Sequence, residues 1–216
     1  ICMRGAVKRG ASFFRSLKRR PMWDQRYSSE TYAYGTEPNA FLVSMLDRLP
    51  EGPVLCLGEG EGRNATWLAQ LGRKVTAVDS SKVGLEKARR LALSRGVGIT
   101  SALADLKDFR IGSQHWDAIV SIFCHLPPQI RRDVHRRCVQ GLTAGGMLVL
   151  EAYTPAQLKY GTGGPPTAEM MMDAESLRTE FEGLEFMHMQ ELVREVHEGE
   201  YHDGPGAVVQ VLARKP

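Results

Sequence analysis

The stretch VLCLGEGEGRN, Val54 to Asn64, joins an unbroken apolar run to three alternating glycines and then to a helical pattern. Val54, Leu55, Cys56 and Leu57 show no polar alternation, which is how a strand covered on both faces reads. Gly58, Gly60 and Gly62 supply a turn that tolerates positive φ and lets backbone approach a ligand closely. The unit is a buried strand, a glycine turn and a helix N-terminus. Such turns also arise for purely structural reasons, so the flanking chain has to decide what this one is for.

Downstream, strands and helices alternate. The helix Asn64–Leu71 is closed by Gly72, and a second strand, Lys74–Val78, ends in Asp79. Ser80 or Ser81 caps a helix running to Arg95. A third strand, Gly98–Ala104, ends in Asp105, and a fourth spans Trp116–Phe123. The helix Gln129–Leu142 then leads through Thr143–Gly146 into a fifth strand, Met147–Tyr153. This alternation predicts an α/β fold: a Rossmann-like, doubly wound, mostly parallel sheet with helices on both faces. A long loop, Thr154–Asp173, breaks the rhythm with Tyr160, Gly163, Gly164, Pro165, Pro166 and three methionines. A short helix (Ala174–Glu182) follows. Leu184–His197 and Ala207–Arg214 then read as an antiparallel hairpin around the turn Glu198–Gly206, which brings the sheet to seven strands with an antiparallel C-terminal strand.

Upstream, Asn39 caps a helix-like run to Leu49, and Trp23, Tyr27, Tyr32 and Tyr34 surround Arg26. These aromatics read either as a lid over a ligand or as a cap on the sheet edge. Residues 22–216 are expected to form one domain, with 22–50 as its N-terminal lid and helix. The net charge of +3 hides an asymmetry: residues 1–21 hold seven Lys or Arg and no acid, which leaves the rest at −4. That segment reads as a disordered extension or as a targeting peptide, so the expected location is cytoplasmic, with an organelle as the alternative. The mildly acidic body gives a nucleic-acid partner no support. No apolar run reaches the roughly 18 residues of a membrane span. Cys2, Cys56, Cys124 and Cys138 lack CxxC spacing and read as reduced thiols. The histidines show no metal-ligand pattern.

The chemistry converges at one sheet edge. The glycine turn follows the first strand, Asp79 ends the second and Asp105 ends the third. A carboxylate at the end of the second strand accepts both hydroxyls of a ribose, and an acceptor after the third suits an adenine amine. A nucleoside-type ligand follows. The dinucleotide fingerprint GxGxxG is broken by Arg63 at its last glycine. Glu59 and Glu61 also place negative charge where a pyrophosphate would bind. A cofactor with a cationic centre and no phosphate fits better, and S-adenosyl-L-methionine answers that description.

With these motifs in place, the sequence resembles the class I S-adenosylmethionine-dependent methyltransferases over Met22–Lys215. LGEGEG is similar to their glycine motif, VTAVD to their second-strand acidic motif, and GLTAGGMLVLE to their helix–turn–fifth-strand signature. WDQRYSSETYAYGTEPNAFL and SIFCHLP resemble the tellurite-resistance-like branch, and the GGPP at Gly163–Pro166 resembles a substrate-side loop of thiopurine and thiol methyltransferases. The family usually has an acid where Cys56 stands; Glu59 is the candidate replacement. The resemblance implies cofactor contacts from Tyr34, Gly58, Glu59, Gly60, Asp79, Ser80, Ala104, Asp105, Leu106 and Phe123. It implies a catalytic group of Arg26, Tyr27 and His125, with His125 read as a proton acceptor or as a packing residue. Tyr160 is expected to help Arg26 and Tyr27 fix the acceptor.

The function so implied is transfer of a methyl group to a small-molecule acceptor, a thiol or chalcogen oxyanion, by in-line displacement in a monomer or weak homodimer. Two other readings stand beside it: a non-catalytic S-adenosylmethionine sensor or partner subunit, and a nicotinamide-dependent reductase. His188, His197 and His202 read as structural or exposed.

Overall fold

The computed structural model describes residues 22–216; the expectations for residues 1–21 lie outside them. Residues 22–26 are helical (α1). There follow α2 (Ala40–Ser44), β1 (Pro53–Leu57), α3 (Arg63–Gln70), β2 (Lys74–Asp79), α4 (Lys82–Ser94), β3 (Thr100–Leu103) and β4 (Trp116–Ile122). The chain continues through α5 (Pro128–Gly141), β5 (Leu142–Tyr153), α6 (Ala174–Glu180), β6 (Glu185–His197) and β7 (Asp203–Arg214). The seven strands lie in the order β3-β2-β1-β4-β5-β7-β6. All neighbours pair in parallel except β7, which runs antiparallel to both β5 and β6. The fold is therefore the Rossmann-like, doubly wound sheet expected from the alternation.

Period-two alternation along the strands sends side chains into two separate cores. Leu55, Leu57, Val78, Ile119, Leu148 and Leu150 pack with Val134 and Cys138 of α5 and with Leu177 and Phe181 of α6. Val54, Cys56, Val75, Ala77, Val120 and Val149 pack on the other face, with Phe41 and Leu42 of α2, Leu68 of α3 and Leu85 of α4. The central strands are covered on both sides, which is why β1 reads as a continuous apolar run.

Three boundaries differ from the sequence expectation by more than two residues. The run Asn39–Leu49 is not one helix: α2 stops at Ser44 and a 3₁₀ turn, Leu46–Arg48, follows. Asn39 is nonetheless the cap, its Oδ1 accepting the Leu42 N–H at 3.0 Å. The fifth strand begins at Leu142 because that residue already pairs with Trp116. The hairpin turn is shorter than Glu198–Gly206, since Asp203 pairs with His197.

Candidate active site

Strand order reverses between β1 and β4, and at that switch a cavity of about 800 Å³ opens over the carboxyl ends of the strands. Its floor is the glycine turn. Gly58, Gly60 and Gly62 have φ of +58°, +58° and +88°. A Cβ on Gly58 would lie 2.8 Å from Cys124 Sγ, and one on Gly62 2.5 Å from Ala88 Cβ, so these glycines allow close packing as well as the turn. Asp79 stands beside it. One carboxylate oxygen accepts the Gly60 N–H at 2.9 Å and the other the Ser81 N–H at 2.7 Å. Burial pushes this carboxyl up to about 6, against the pull of those amides.

Glu59 folds back to accept the Ala65 N–H at 2.7 Å. It thereby caps α3, whose N-cap, Gly62, has no side chain to do so. Burial pushes Glu59 up to about 7, with the Ala65 amide and Arg63 pulling the other way. Burial, reinforced by Glu59, pushes the neighbouring Cys56 thiol well up. Two buried carboxylates thus flank the glycine turn on the cavity wall. Glu61 differs: it pairs with the buried Lys87 ammonium and accepts the Ala33 N–H at 2.7 Å. Its charge is compensated, so the negative field of the floor belongs to Glu59 and Asp79 rather than to Glu59 and Glu61.

The roof is built from three segments. The first is 22–35. Asp24 Oδ1 accepts the Ser81 hydroxyl at 2.6 Å, and Lys87 Nζ donates to the Ser29 and Thr31 carbonyls at 2.8 and 2.6 Å. The Tyr27 hydroxyl lies 2.6 Å from where a Gly60 Cβ would be. The second is the hairpin turn. Glu198 pairs with Arg63 and accepts the Asn39 amide at 2.8 Å, while Arg194 binds Glu151 at 2.6 Å and Glu198 at 3.2 Å. The third is the loop 161–166. A Cβ on Gly163 would lie 2.7 Å from the Tyr201 carbonyl and 2.8 Å from His202 Cδ2, so the loop sits directly against the hairpin turn.

Of the cofactor residues named from the sequence, all but Gly60 line the cavity, and Arg26, Tyr27 and His125 line it too. Gly60 sits behind the wall, its N–H spent on Asp79. One open alternative closes, in favour of the packing reading of His125, and one expectation needs correction. His125 is no free base: its Nδ1 lies 3.0 Å from the Met170 carbonyl and its Nε2 accepts the Tyr153 N–H at 3.4 Å, and burial pushes it down to about 4. Tyr160 is absent from the cavity wall and is exposed. Phe123 adds something the sequence did not signal, a φ of +50° in a bulky residue at the end of β4. Tyr201 was missed altogether, and His202, read as structural or exposed, is a buried residue of the cavity wall. His202 lies on the cavity wall, 7 % exposed, with ring centroids 4.6 Å from both Tyr34 and Phe123. Histidine on a strand-flanking turn carries no sequence signal of what it will cover. Among the described residues no cluster of side chains is arranged to hold a metal, and no helix is long and apolar enough to cross a membrane.

A seven-stranded sheet of this order, with acids and glycines at its carboxyl edge, defines the class: a Rossmann-like, doubly wound α/β domain with its ligand cavity at the strand ends. Residues 54–146 match the family model of the methyltransferase domain. Over 72 residues the chain is 32 % identical to the uncharacterized methyltransferase YodH of Bacillus subtilis strain 168, covering 33 % of this chain and 31 % of that protein. The chain therefore spans less than a third of the curated relative's length in that match. Among solved structures it resembles TehB from Haemophilus influenzae (20 % identity, TM-score 0.69, 92 % of this chain and 67 % of that one). It also resembles the N-methyltransferase NodS from Bradyrhizobium japonicum WM9 in complex with S-adenosyl-L-homocysteine (17 % identity, TM-score 0.65, 91 % and 98 %). These structural likenesses establish the fold.

Proposed function

We propose that the protein is an S-adenosylmethionine-dependent methyltransferase acting on a small acceptor that arrives as a ready nucleophile, a thiolate or chalcogen oxyanion. The observation that carries this reading is the pair of buried carboxylates, Glu59 and Asp79, raised to about 7 and about 6 beside the Gly58 turn. Each faces the cavity without a cation of its own that fully offsets burial. A ligand with an ammonium and a ribose diol supplies what both lack, and the absence of a Cβ at Gly58 leaves room for it. Bound there, S-adenosylmethionine supplies an electrophilic methyl group on sulfur.

The chain's own contribution is binding, orientation and exclusion of water. Asp79 offers the second lone pair of each oxygen to the ribose, and Asp105 lies further along the same edge. The roof keeps the site dry, and alignment of the reacting atoms at about 3–3.5 Å is the main source of rate. None of His125, Cys124, Tyr27 and Tyr34 serves as a general base at neutral pH. His125 has both nitrogens engaged, burial pushes Cys124 up to about 12, and Tyr27 and Tyr34 are pushed above their ordinary value by burial. With the Glu59 and Asp79 carboxylates given to the cofactor, this supports an acceptor that needs no deprotonation. The test is calorimetric titration with S-adenosylhomocysteine, with Asp79→Ala in parallel. Saturable binding to the wild type that is lost in the variant supports the reading; a folded wild type that does not bind removes it.

A further inference from the structure

The acceptor side of the cavity is made of hydrogen-bond donors. Arg26 lies on the wall with its Nη1 donating to Tyr34 Oη at 3.1 Å and its guanidinium 3.9 Å over the Tyr201 ring. Among the described residues no carboxylate lies within ion-pair distance of it. Because Tyr34 accepts from Arg26, its own hydroxyl proton is left for something else. His202 makes no side-chain hydrogen bond among the described residues, and its Nδ1 is buried without a partner. A buried lone pair without a donor costs less than a buried N–H without an acceptor. That balance favours the tautomer with its proton on Nε2. The remaining acids of the wall are accounted for. Glu59 and Asp79 are bonded at the floor, Asp105 Oδ1 accepts the Lys107 N–H, Glu61 is paired with Lys87 and Asp203 with His197, and Glu200 is exposed at the rim.

We infer that Arg26, Tyr34 and His202 form an acceptor subsite for a small anion, carboxylate or oxyanion in its binding group, and that His202 acts there as a neutral Nε2–H donor and not as a base. Gly163 and Gly164 complete the subsite because only residues without side chains leave His202 and Tyr153 room beside the loop. The assignment rests on the methyltransferase reading for what reacts there, but its content is the polarity of the subsite: three donors, one of them a fixed cation, over a floor of acids.

The experiment uses protein saturated with S-adenosylhomocysteine and two thiols of similar size, mercaptoacetate and neutral 2-mercaptoethanol. Binding is followed by calorimetry and by the ring-nitrogen NMR signals of His202, assigned with His202→Phe. The expected result is an Nε2–H tautomer whose signals shift on addition of mercaptoacetate, and a preference for mercaptoacetate of about tenfold or more. Arg26→Gln and His202→Phe should each erase most of that preference, while His202→Gln, which keeps an N–H donor, restores part of it. Titration of each variant with S-adenosylhomocysteine shows whether its fold and floor are intact. Equal affinity for the two thiols, a silent His202, or a preference that survives both substitutions overturns the inference. Failure of the wild type to bind S-adenosylhomocysteine removes the methyltransferase reading instead, and is seen before any thiol is added.

Discussion

At the scale of single residues, Gly58, Glu59 and Asp79 divide the work of the floor. Gly58 combines a φ of +58° with 2.8 Å between its would-be Cβ and Cys124 Sγ. Gly58→Ala is expected to cost about 1–2 kcal/mol from backbone strain alone, with a further clash term. Cys124→Ala in the same chain should recover the clash part and leave the strain, which chemical denaturation of the single and double variants will resolve. Asp79→Asn tests a different point. The amide keeps one acceptor oxygen for a backbone N–H but presents an NH₂ where Ser81 or Gly60 donates. Loss of a charge-assisted hydrogen bond is worth about 1.5–3 kcal/mol, so S-adenosylhomocysteine affinity should fall by roughly ten- to a hundredfold, and calorimetry reads it directly. An Asn variant that binds as tightly as the wild type would show that Asp79 only braces the turn.

At the scale of elements, the 22–35 segment is held by a buried ion pair that no local pattern announces. Lys87, on the inner face of α4, is 1 % exposed and reaches Glu61 and three carbonyls of the 27–31 segment. Removing one partner of such a pair strands the other charge, at a cost of about 3–5 kcal/mol. Lys87→Met should therefore destabilise the protein by that order in urea denaturation and raise proteolysis around residues 28–34. Glu61→Gln in the same background should recover part of the loss, because it removes the stranded charge. This pair also shows where sequence reading stops. Strand β1 was legible because both of its faces are covered, and Asp79 was legible because a strand end followed by a serine cap fixes its place. The partnership of Glu61 with Lys87 depends on how α4 packs across the glycine turn, which nothing near Glu61 encodes. The place of His202 on the cavity wall was unreadable for the same kind of reason. The residue reaches the cavity only because β7 inserts between β5 and β6 and swings the hairpin turn over the sheet edge. Asn39 lay between these cases: its capping role was readable, but its hydrogen bonds to Glu151 and Glu198, far along the chain, were not.

At the scale of the whole molecule, buried titratable groups pull stability in opposite directions with pH. Burial holds His125 at about 4 and His202 at about 3, below their ordinary 6.5. The unfolded chain therefore takes up protons that the folded one refuses, and this contribution, full above 6.5, is lost as pH falls toward 4 and 3. Glu59 and Asp79 run the other way, at about 7 and about 6 against ordinary values of 4.5 and 3.8. Their protonated forms favour the folded state, so the ligand-free protein loses that contribution as pH rises from about 4 through 7. A bound ammonium and ribose reverse the sign at the floor, because they favour the ionised carboxylates. The affinity for S-adenosylhomocysteine should then be greatest near pH 8 and weaken by about tenfold or more by pH 5.5, with Glu59 dominating because its value lies highest. The thermal stabilisation given by a fixed ligand concentration should shrink over the same interval. Glu59→Gln should bind more weakly at pH 8 but with a flatter profile. Calorimetry across this range in wild type and variant decides it: a wild-type affinity constant from pH 8 to 5.5 would mean that the two buried acids do not face the cofactor's charge, and the cavity would have to be assigned to a neutral ligand.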